Sequence, residues 1–154
     1  EKGIFNFIEM FEKMDFNKIN LKAELSIVGN LKKEKISKKN IKLMGYVSDS
    51  KSLINIYDNH NVTILPSFTE ATPYVVDESL ARKRPVIIFQ DIDYVVRDKE
   101  GIFVTQRDNN SFMETAKHVI ENYEEIQKKM EKNVLPTKNS MIKQISDIIK
   151  LENY

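Results

Sequence analysis

Apolar residues at Ile4, Phe7, Ile8, Phe11 and Met14 recur at three- and four-residue intervals, the spacing of one buried helix face. Leu21, Ala23, Leu25 and Ile27 then alternate with Lys22, Glu24 and Ser26, which predicts a strand over 21–28 that stops at Gly29. Residues 31–40 are polar and lysine-rich and read as a loop or a short helix. A second strand is expected from Ile41 to Val47, interrupted by Gly45, and a helix over 48–59 with Ser48 and Ser50 as caps and Leu53, Ile54 and Tyr57 facing inward. Val62 to Leu65 is a short strand closed by Pro66-Ser67. Pro73 to Ala81 reads as a helix, and Val86 to Phe89 and Gly101 to Thr105 as strands. One long helix is expected from Phe112 to Met130, with Ala116, Val119, Ile120, Tyr123 and Ile126 on its apolar face. Pro136 breaks the chain before a final amphipathic helix from Met141 to Leu151.

Strands alternating with helices four times over predict a parallel sheet with helices on both faces, the Rossmann-like α/β class. Short, continuously apolar strands such as Val86-Ile87-Ile88-Phe89 suit a sheet buried on both sides. There is no internal repeat and no composition shift that marks a boundary, so residues 1–154 are read as one domain. The chain opens Glu1-Lys2-Gly3, without an initiator Met or a signal peptide, and is expected to be a piece of a longer protein whose domain has an earlier strand.

Composition narrows the functions. A chain with 41% hydrophobic and 31% charged residues is a folded domain rather than a disordered tail. Twenty-four Lys and Arg against 23 Asp and Glu leave a net charge of +1, which gives no electrostatic case for nucleic acid. The absence of Cys removes disulfides, thiolate metal sites and cysteine nucleophiles. The two histidines, His60 and His118, match no metal-ligand spacing. The longest apolar runs are far shorter than a membrane span.

In such sheets ligands bind beyond the carboxyl ends of the strands. The strand end that offers chemistry is Val62-Thr63-Ile64-Leu65, followed by Pro66-Ser67-Phe68-Thr69-Glu70-Ala71-Thr72-Pro73. Thr72 is expected to cap the next helix through its hydroxyl, with Pro73 in the first turn, where its missing N–H costs nothing. A helix start presents free N–H groups and partial positive charge, which suits a phosphate. Glu70 precedes that start, and Glu78 lies about 7–8 Å along the axis from Pro73. The two carboxylates can flank a phosphate-bearing ligand and accept hydrogen bonds from its hydroxyls. Without a ligand they are solvated acids near a helix start, where acids are favoured anyway.

Other features read more simply. Asp91-Ile92-Asp93 has the spacing of a metal-binding acidic pair, and is expected to be a turn with two solvated acids. Arg82, Arg84, Arg97 and Arg107 are the only arginines; Arg82-Lys83-Arg84 falls at a helix end, where cations complement the dipole. Lys32, Lys33, Lys35, Lys38 and Lys39 form a basic run, read as a solvated face, with an anionic membrane surface or a partner half as the alternative. His60 reads as a surface loop residue.

Pro66-Ser67-Phe68-Thr69-Glu70, then Glu78-Ser79-Leu80-Ala81, then Arg84-Pro85-Val86-Ile87 resemble the signature of the group 1 glycosyltransferases, the large retaining family (family four) with the GT-B fold. Lys2-Gly3, Ile27-Val28-Gly29, Gly45-Tyr46-Val47 and Gly101-Ile102-Phe103-Val104 follow the family's order, so the resemblance runs to about Asn122. It implies the carboxyl-terminal, donor-binding half of a two-half enzyme that moves a sugar from a nucleoside-diphosphate donor to an acceptor hydroxyl, without metal or other cofactor. By the same resemblance Lys2 contacts the donor diphosphate, Ala71 and Thr72 line the donor site, and the amides of Tyr74 and Val75 face the diphosphate. Glu70 holds the hydroxyls of the transferred sugar, Glu78 accepts hydrogen bonds from the ribose, and the backbone of Val47 pairs with the base. The acceptor, a sugar or a lipid-linked acceptor, would belong to an amino-terminal half absent from this chain. The implied setting is the cytoplasm, with peripheral association at the inner membrane face, in bacterial surface polysaccharide or glycolipid synthesis. An epimerase or phosphorylase on the same fold, or a nucleotide-binding module without catalysis, are the rival functions.

The chain departs from the family pattern at three places. Ala71 stands where a glycine usually follows the first glutamate, Arg84 where a glycine is usual before Pro-Val-Ile, and Gln90-Asp91-Ile92-Asp93 where a Gly-Gly pair is common.

Overall fold

The computed structural model describes residues 3–31, 40–137, 139–140, 142–143 and 146–147. Lys2 and the lysines at 32–39 lie outside these residues; of the helix expected at 141–151, residues 142–143 and 146–147 are described and are helical. Helix α1 (Ile4–Lys13) buries Phe7, Ile8 and Phe11, the face its spacing predicts. Phe7 packs on Phe11, Phe89 and Phe112 with ring centroids 6.1, 6.0 and 5.1 Å apart, so the helix docks through a cluster of tilted and edge-on aromatic rings.

Strand β1 (Leu25–Val28) begins four residues later than the alternation suggests. Leu21 is tied elsewhere: its N–H donates to the Phe16 carbonyl at 3.0 Å, closing a 3-10 turn at Phe16–Ile19. The Asp15 side chain caps that turn and Asn20 ends it in the left-handed conformation. Strand β2 (Ile41–Gly45) runs parallel to β1 and stops at Gly45 rather than reaching Val47. Val28 faces Gly45, so Met44 is an extra residue in the ladder. Helix α2 (Ser50–Asp58) is capped by Asp49, whose Oδ1 accepts the Ser52 N–H at 2.8 Å, and not by Ser48 or Ser50.

Strands β3 (Thr63–Leu65), β4 (Val86–Phe89) and β5 (Ile102–Thr105) form a parallel sheet in the order β3-β4-β5, with helix α3 (Tyr74–Ala81) between β3 and β4 in the chain. Among the described residues the strands therefore hydrogen-bond as two parallel groups, β1-β2 and β3-β4-β5. One hydrophobic core joins them, running from Leu25 and Ile27 through Leu65 to the whole of β4. No β4 side chain is more than 1% exposed, so both faces of the strand are covered, as its unbroken apolar sequence predicts. Phe89 presents one of those faces to Phe7 of α1 and to Phe112.

The long carboxyl-terminal helix is two helices, α4 (Asn109–Glu121) and α5 (Tyr123–Met130), with a break at Asn122 (φ −110°, ψ 21°). The apolar face stays in phase across it, because Ile126 N–H still donates to the Asn122 carbonyl at 3.0 Å, so Phe112, Val119, Ile126 and Met130 are all buried. The start of α4 is set by Asp108, which accepts the Ser111 N–H at 2.9 Å. Among the described residues no helix is long and apolar enough to cross a membrane.

Helix α3 ends in a Schellman turn: Lys83 N–H donates to the Leu80 carbonyl (2.9 Å) and Arg84 N–H to the Ser79 carbonyl (3.0 Å). The residue in the left-handed conformation is Lys83 (φ 53°), so the position that favours glycine is Lys83 and not Arg84. Lys83→Gly should relieve that strain at the cost of an exposed ion pair with Glu131, for a net gain of about 0.5–1 kcal/mol. Thermal denaturation should show a rise of roughly 1–4 °C. Lys83→Ala, which loses the ion pair and keeps the strain, should show none; an equal rise for both would refute the assignment.

Candidate functional site

At the carboxyl end of β3 the chain enters the loop Pro66-Ser67-Phe68-Thr69-Glu70, whose first two residues are buried. Ser67 is fully buried and its Oγ donates to Glu70 Oε1 at 2.6 Å, a Ser-x-x-Glu contact that turns the carboxylate back over the loop. The loop itself is held by Arg107, just beyond β5. Its Nη1 donates to the Pro66 carbonyl and its Nη2 to the Ser67 carbonyl, both at 3.1 Å. The guanidinium lies 4.0 Å from the Phe68 ring centroid and 4.1 Å from that of Phe89, a cation between two aromatic faces. Its Nη2 and Nε also donate to Asp91 Oδ2, at 2.7 and 3.1 Å. Asp91, one acid of the Asp-x-Asp spacing, is thus the counter-ion of Arg107.

From α1's side the loop is met by Gly3 (φ 62°), on which an added Cβ would lie 2.0 Å from the Pro66 carbonyl oxygen. Only a glycine lets the backbone approach this closely. Tyr94 reaches the same loop from a 3-10 segment at Gln90–Val95 that follows β4. Its hydroxyl accepts the Glu70 N–H at 3.0 Å and donates to the Glu70 carbonyl at 2.6 Å. Ala71 is not among the residues with positive φ, so alanine in place of the family glycine brings no backbone strain.

The start of α3 differs from expectation. Pro73 occupies the cap position (φ −80°, ψ 87°) and no side chain caps the helix, so the Thr72 hydroxyl is not a cap. Tyr74 N–H donates to the Thr72 carbonyl (3.0 Å) and Val76 N–H to that of Pro73 (2.9 Å). Val75 N–H is the remaining first-turn amide, without an intrahelical acceptor by its position. Ala71, Thr72, Pro73, Tyr94, Arg97 and Lys99 line part of a cavity of about 40 Å³ beside this turn.

Glu78 is exposed on the second turn of α3, and its Oε2 accepts the Tyr57 hydroxyl at 2.9 Å. Tyr57 comes from the end of α2, where it is buried; burial first, then the bond to and charge of Glu78, push its phenol well above the usual value and keep it a donor. Arg84 fixes this helix end. Its Nε and Nη2 donate to the Tyr57 and Asp58 carbonyls (3.1 and 2.9 Å) and its Nη1 to the Tyr123 hydroxyl (3.1 Å). The last carbonyls of α2 are thereby satisfied, and the arginine that replaces a family glycine locates the tyrosine that holds Glu78. His60 closes the same helix end, with Nδ1 on the Ile56 carbonyl, consistent with a structural loop role. Val47 follows β2, half-buried, beside the exposed Tyr46.

Glu70, Ala71, Thr72, Tyr74, Val75 and Glu78 thus all lie on one loop and the helix that follows it, with both carboxylates fixed by hydroxyl donors. Sequence reasoning missed those donors, Ser67 and Tyr57, together with Tyr94 and Arg107. Ser67 carries a local signal, the Ser-x-x-Glu spacing; the other three act from 21 to 41 residues away and leave no local pattern.

Residues 1–122 match the family described as glycosyl transferases group 1. Among solved structures, sucrose-phosphate synthase from Thermosynechococcus elongatus superposes with a TM-score of 0.72 at 16% identity, over 97% of this chain and 42% of that one. HepE from Anabaena, in complex with UDP, superposes with a TM-score of 0.60 at 14% identity, over 84% of this chain and 38% of that one. The chain spans about two-fifths of these proteins. No curated protein matches it by sequence. With four-fifths of its length inside the family match and the parallel α/β fold of a GT-B carboxyl-terminal domain, the chain belongs to the group 1 glycosyltransferases.

Proposed function

We propose that the chain binds a nucleoside-diphosphate sugar and forms the donor half of a retaining sugar transfer to an acceptor hydroxyl. The observation that carries this is the pair of anchored carboxylates on either side of the α3 start. Glu70 is held by Ser67, and Glu78 by Tyr57. The diphosphate would lie at the helix start, where the Val75 amide and the helix dipole, with Lys2, stabilise the charge that develops on the leaving group. Glu70 would hold hydroxyls of the transferred sugar while the acceptor attacks from the leaving-group side. Glu78 Oε1, which has no partner among the described residues, would accept the ribose hydroxyls. The acceptor would be bound by a second Rossmann-like half. In this arrangement a helix-start amide, a lysine and two carboxylates do the binding, so nucleotide affinity should survive chelators.

Calorimetric titration with UDP and UDP-glucose tests the reading. Glu78→Gln should weaken both ligands, since losing a charged hydrogen bond of this kind costs about 1.5–3 kcal/mol, roughly ten- to a hundred-fold in affinity. Glu70→Gln should leave UDP nearly untouched and weaken UDP-glucose. Equal losses of UDP affinity from both substitutions would overturn the assignment, as would no loss from either.

A further inference from the structure

Glu70 is held from two directions, by Ser67, which belongs to the family signature, and by Tyr94, which does not. Ser67 fixes its carboxylate, and Ser67's own carbonyl is fixed by Arg107. The second direction is Tyr94, whose single hydroxyl spans the Glu70 peptide units, accepting from the N–H at 3.0 Å and donating to the carbonyl at 2.6 Å. A hydroxyl has one donor and can accept at the same time, so one side chain satisfies both main-chain groups of an irregular loop residue. Two such bonds from one ring restrict the conformations open to the loop. Tyr94 is 53% exposed, so this bond is not a by-product of core packing. It stands in the 3-10 segment 90–95, directly after Gln90-Asp91-Ile92-Asp93, and the same segment supplies Asp91 to Arg107. Tyr94 also lines, with Ala71, Thr72 and Arg97, the cavity beside the α3 start.

We infer that Tyr94 is a positioning residue for Glu70: its hydroxyl sets the Glu70 peptide, and through it the direction of the carboxylate toward the sugar of the donor. This rests on the reading of Glu70 as the sugar-holding carboxylate. It assigns no contact between Tyr94 and the nucleotide, so a change there should be felt by the sugar and not by the bare nucleoside diphosphate.

The test is Tyr94→Phe in the full chain, which removes the hydroxyl and keeps the ring. Amide hydrogen exchange of Glu70, followed by NMR, should accelerate by about tenfold or more while exchange of the β4 amides stays as in the wild type. UDP affinity should be unchanged, and UDP-glucose affinity should fall by roughly five- to tenfold, the worth of about one lost hydrogen bond. A merely structural role would move the melting temperature or both ligands together. Unchanged Glu70 exchange overturns the inference whatever the ligands do. Faster exchange with an unchanged ratio of UDP-glucose to UDP affinity overturns the link to the sugar. Should the wild-type chain bind neither probe, the donor reading fails by itself, and the exchange measurement still decides whether Tyr94 sets Glu70.

Discussion

Gly3→Ala should be among the most damaging single-methyl additions possible in this chain. The new Cβ would sit 2.0 Å from the Pro66 carbonyl oxygen and 3.3 Å from the Phe68 ring, in a backbone with φ 62°. The oxygen cannot step aside easily, because Pro66 is buried and its carbonyl accepts from Arg107. The left-handed conformation adds about 1–2 kcal/mol for a side chain, and the overlap another 1–3, so a loss of about 2–5 kcal/mol is expected. Gly45→Ala is the internal control. It also has positive φ (73°), but an added Cβ there meets nothing within 4 Å. It should cost only the conformational part, about 1–2 kcal/mol. Denaturant unfolding of both variants separates the terms: similar losses would mean that the close approach of the Gly3 backbone to the Pro66 loop has no energetic weight. A larger loss for Gly3→Ala, accompanied by weaker UDP-glucose binding, would tie the packing of α1's cap residue to the loop that carries Glu70.

How far the fold was legible follows from where its constraints lie. Val86-Ile87-Ile88-Phe89 can be read directly, because a strand covered on both faces needs no polar position. The α1 face is equally plain, since Phe7, Ile8 and Phe11 obey one period and nothing competes. Leu21 to Glu24 misled because alternation is only half of a strand's requirement. The other half is a partner for the backbone, and the Leu21 N–H already has one in Phe16. The break at Asn122 was hidden by the uninterrupted apolar phase from Val119 to Ile126, which a one-residue irregularity does not shift.

Of the site, Glu70 and Glu78 were legible as acids around a helix start. Their anchors were not, because Tyr57, Tyr94 and Arg107 reach the loop and helix through tertiary packing. The expected Thr72 cap failed for a local reason: Pro73 takes the cap position itself, and the Tyr74 N–H turns to the Thr72 carbonyl instead of a hydroxyl. The Asp-x-Asp spacing was legible as a pattern but not in its use, which depends on an arginine 16 residues further on.

That arginine carries the second large effect. Arg107 has 17% of its side chain exposed and Asp91 32%, so the pair is shielded enough for its hydrogen bonds to count more than those of a surface ion pair. Arg107→Met keeps an unbranched stem between Phe68 and Phe89 but removes every donor. It strands the Ser67 and Pro66 carbonyls and the Asp91 carboxylate together. Leaving such groups unpaired costs about 1–3 kcal/mol each when they are buried, and the sum is reduced here because Asp91 can turn to water; a loss of about 2–4 kcal/mol is expected. For a chain of this size that is roughly 5–15 °C in melting temperature. Arg107→Lys should recover only a minor part, since an ammonium is a point donor and cannot bridge two carbonyls and a carboxylate while stacked between two rings. Asp91→Asn should cost less than Arg107→Met, because the carbonyl contacts survive, and the double variant should fall short of additivity. Thermal and denaturant unfolding of the four variants and the wild type decides it. Full recovery by lysine, or a methionine variant as stable as the wild type, would mean that the Pro66–Ser67 loop is held by its own packing and not by the guanidinium.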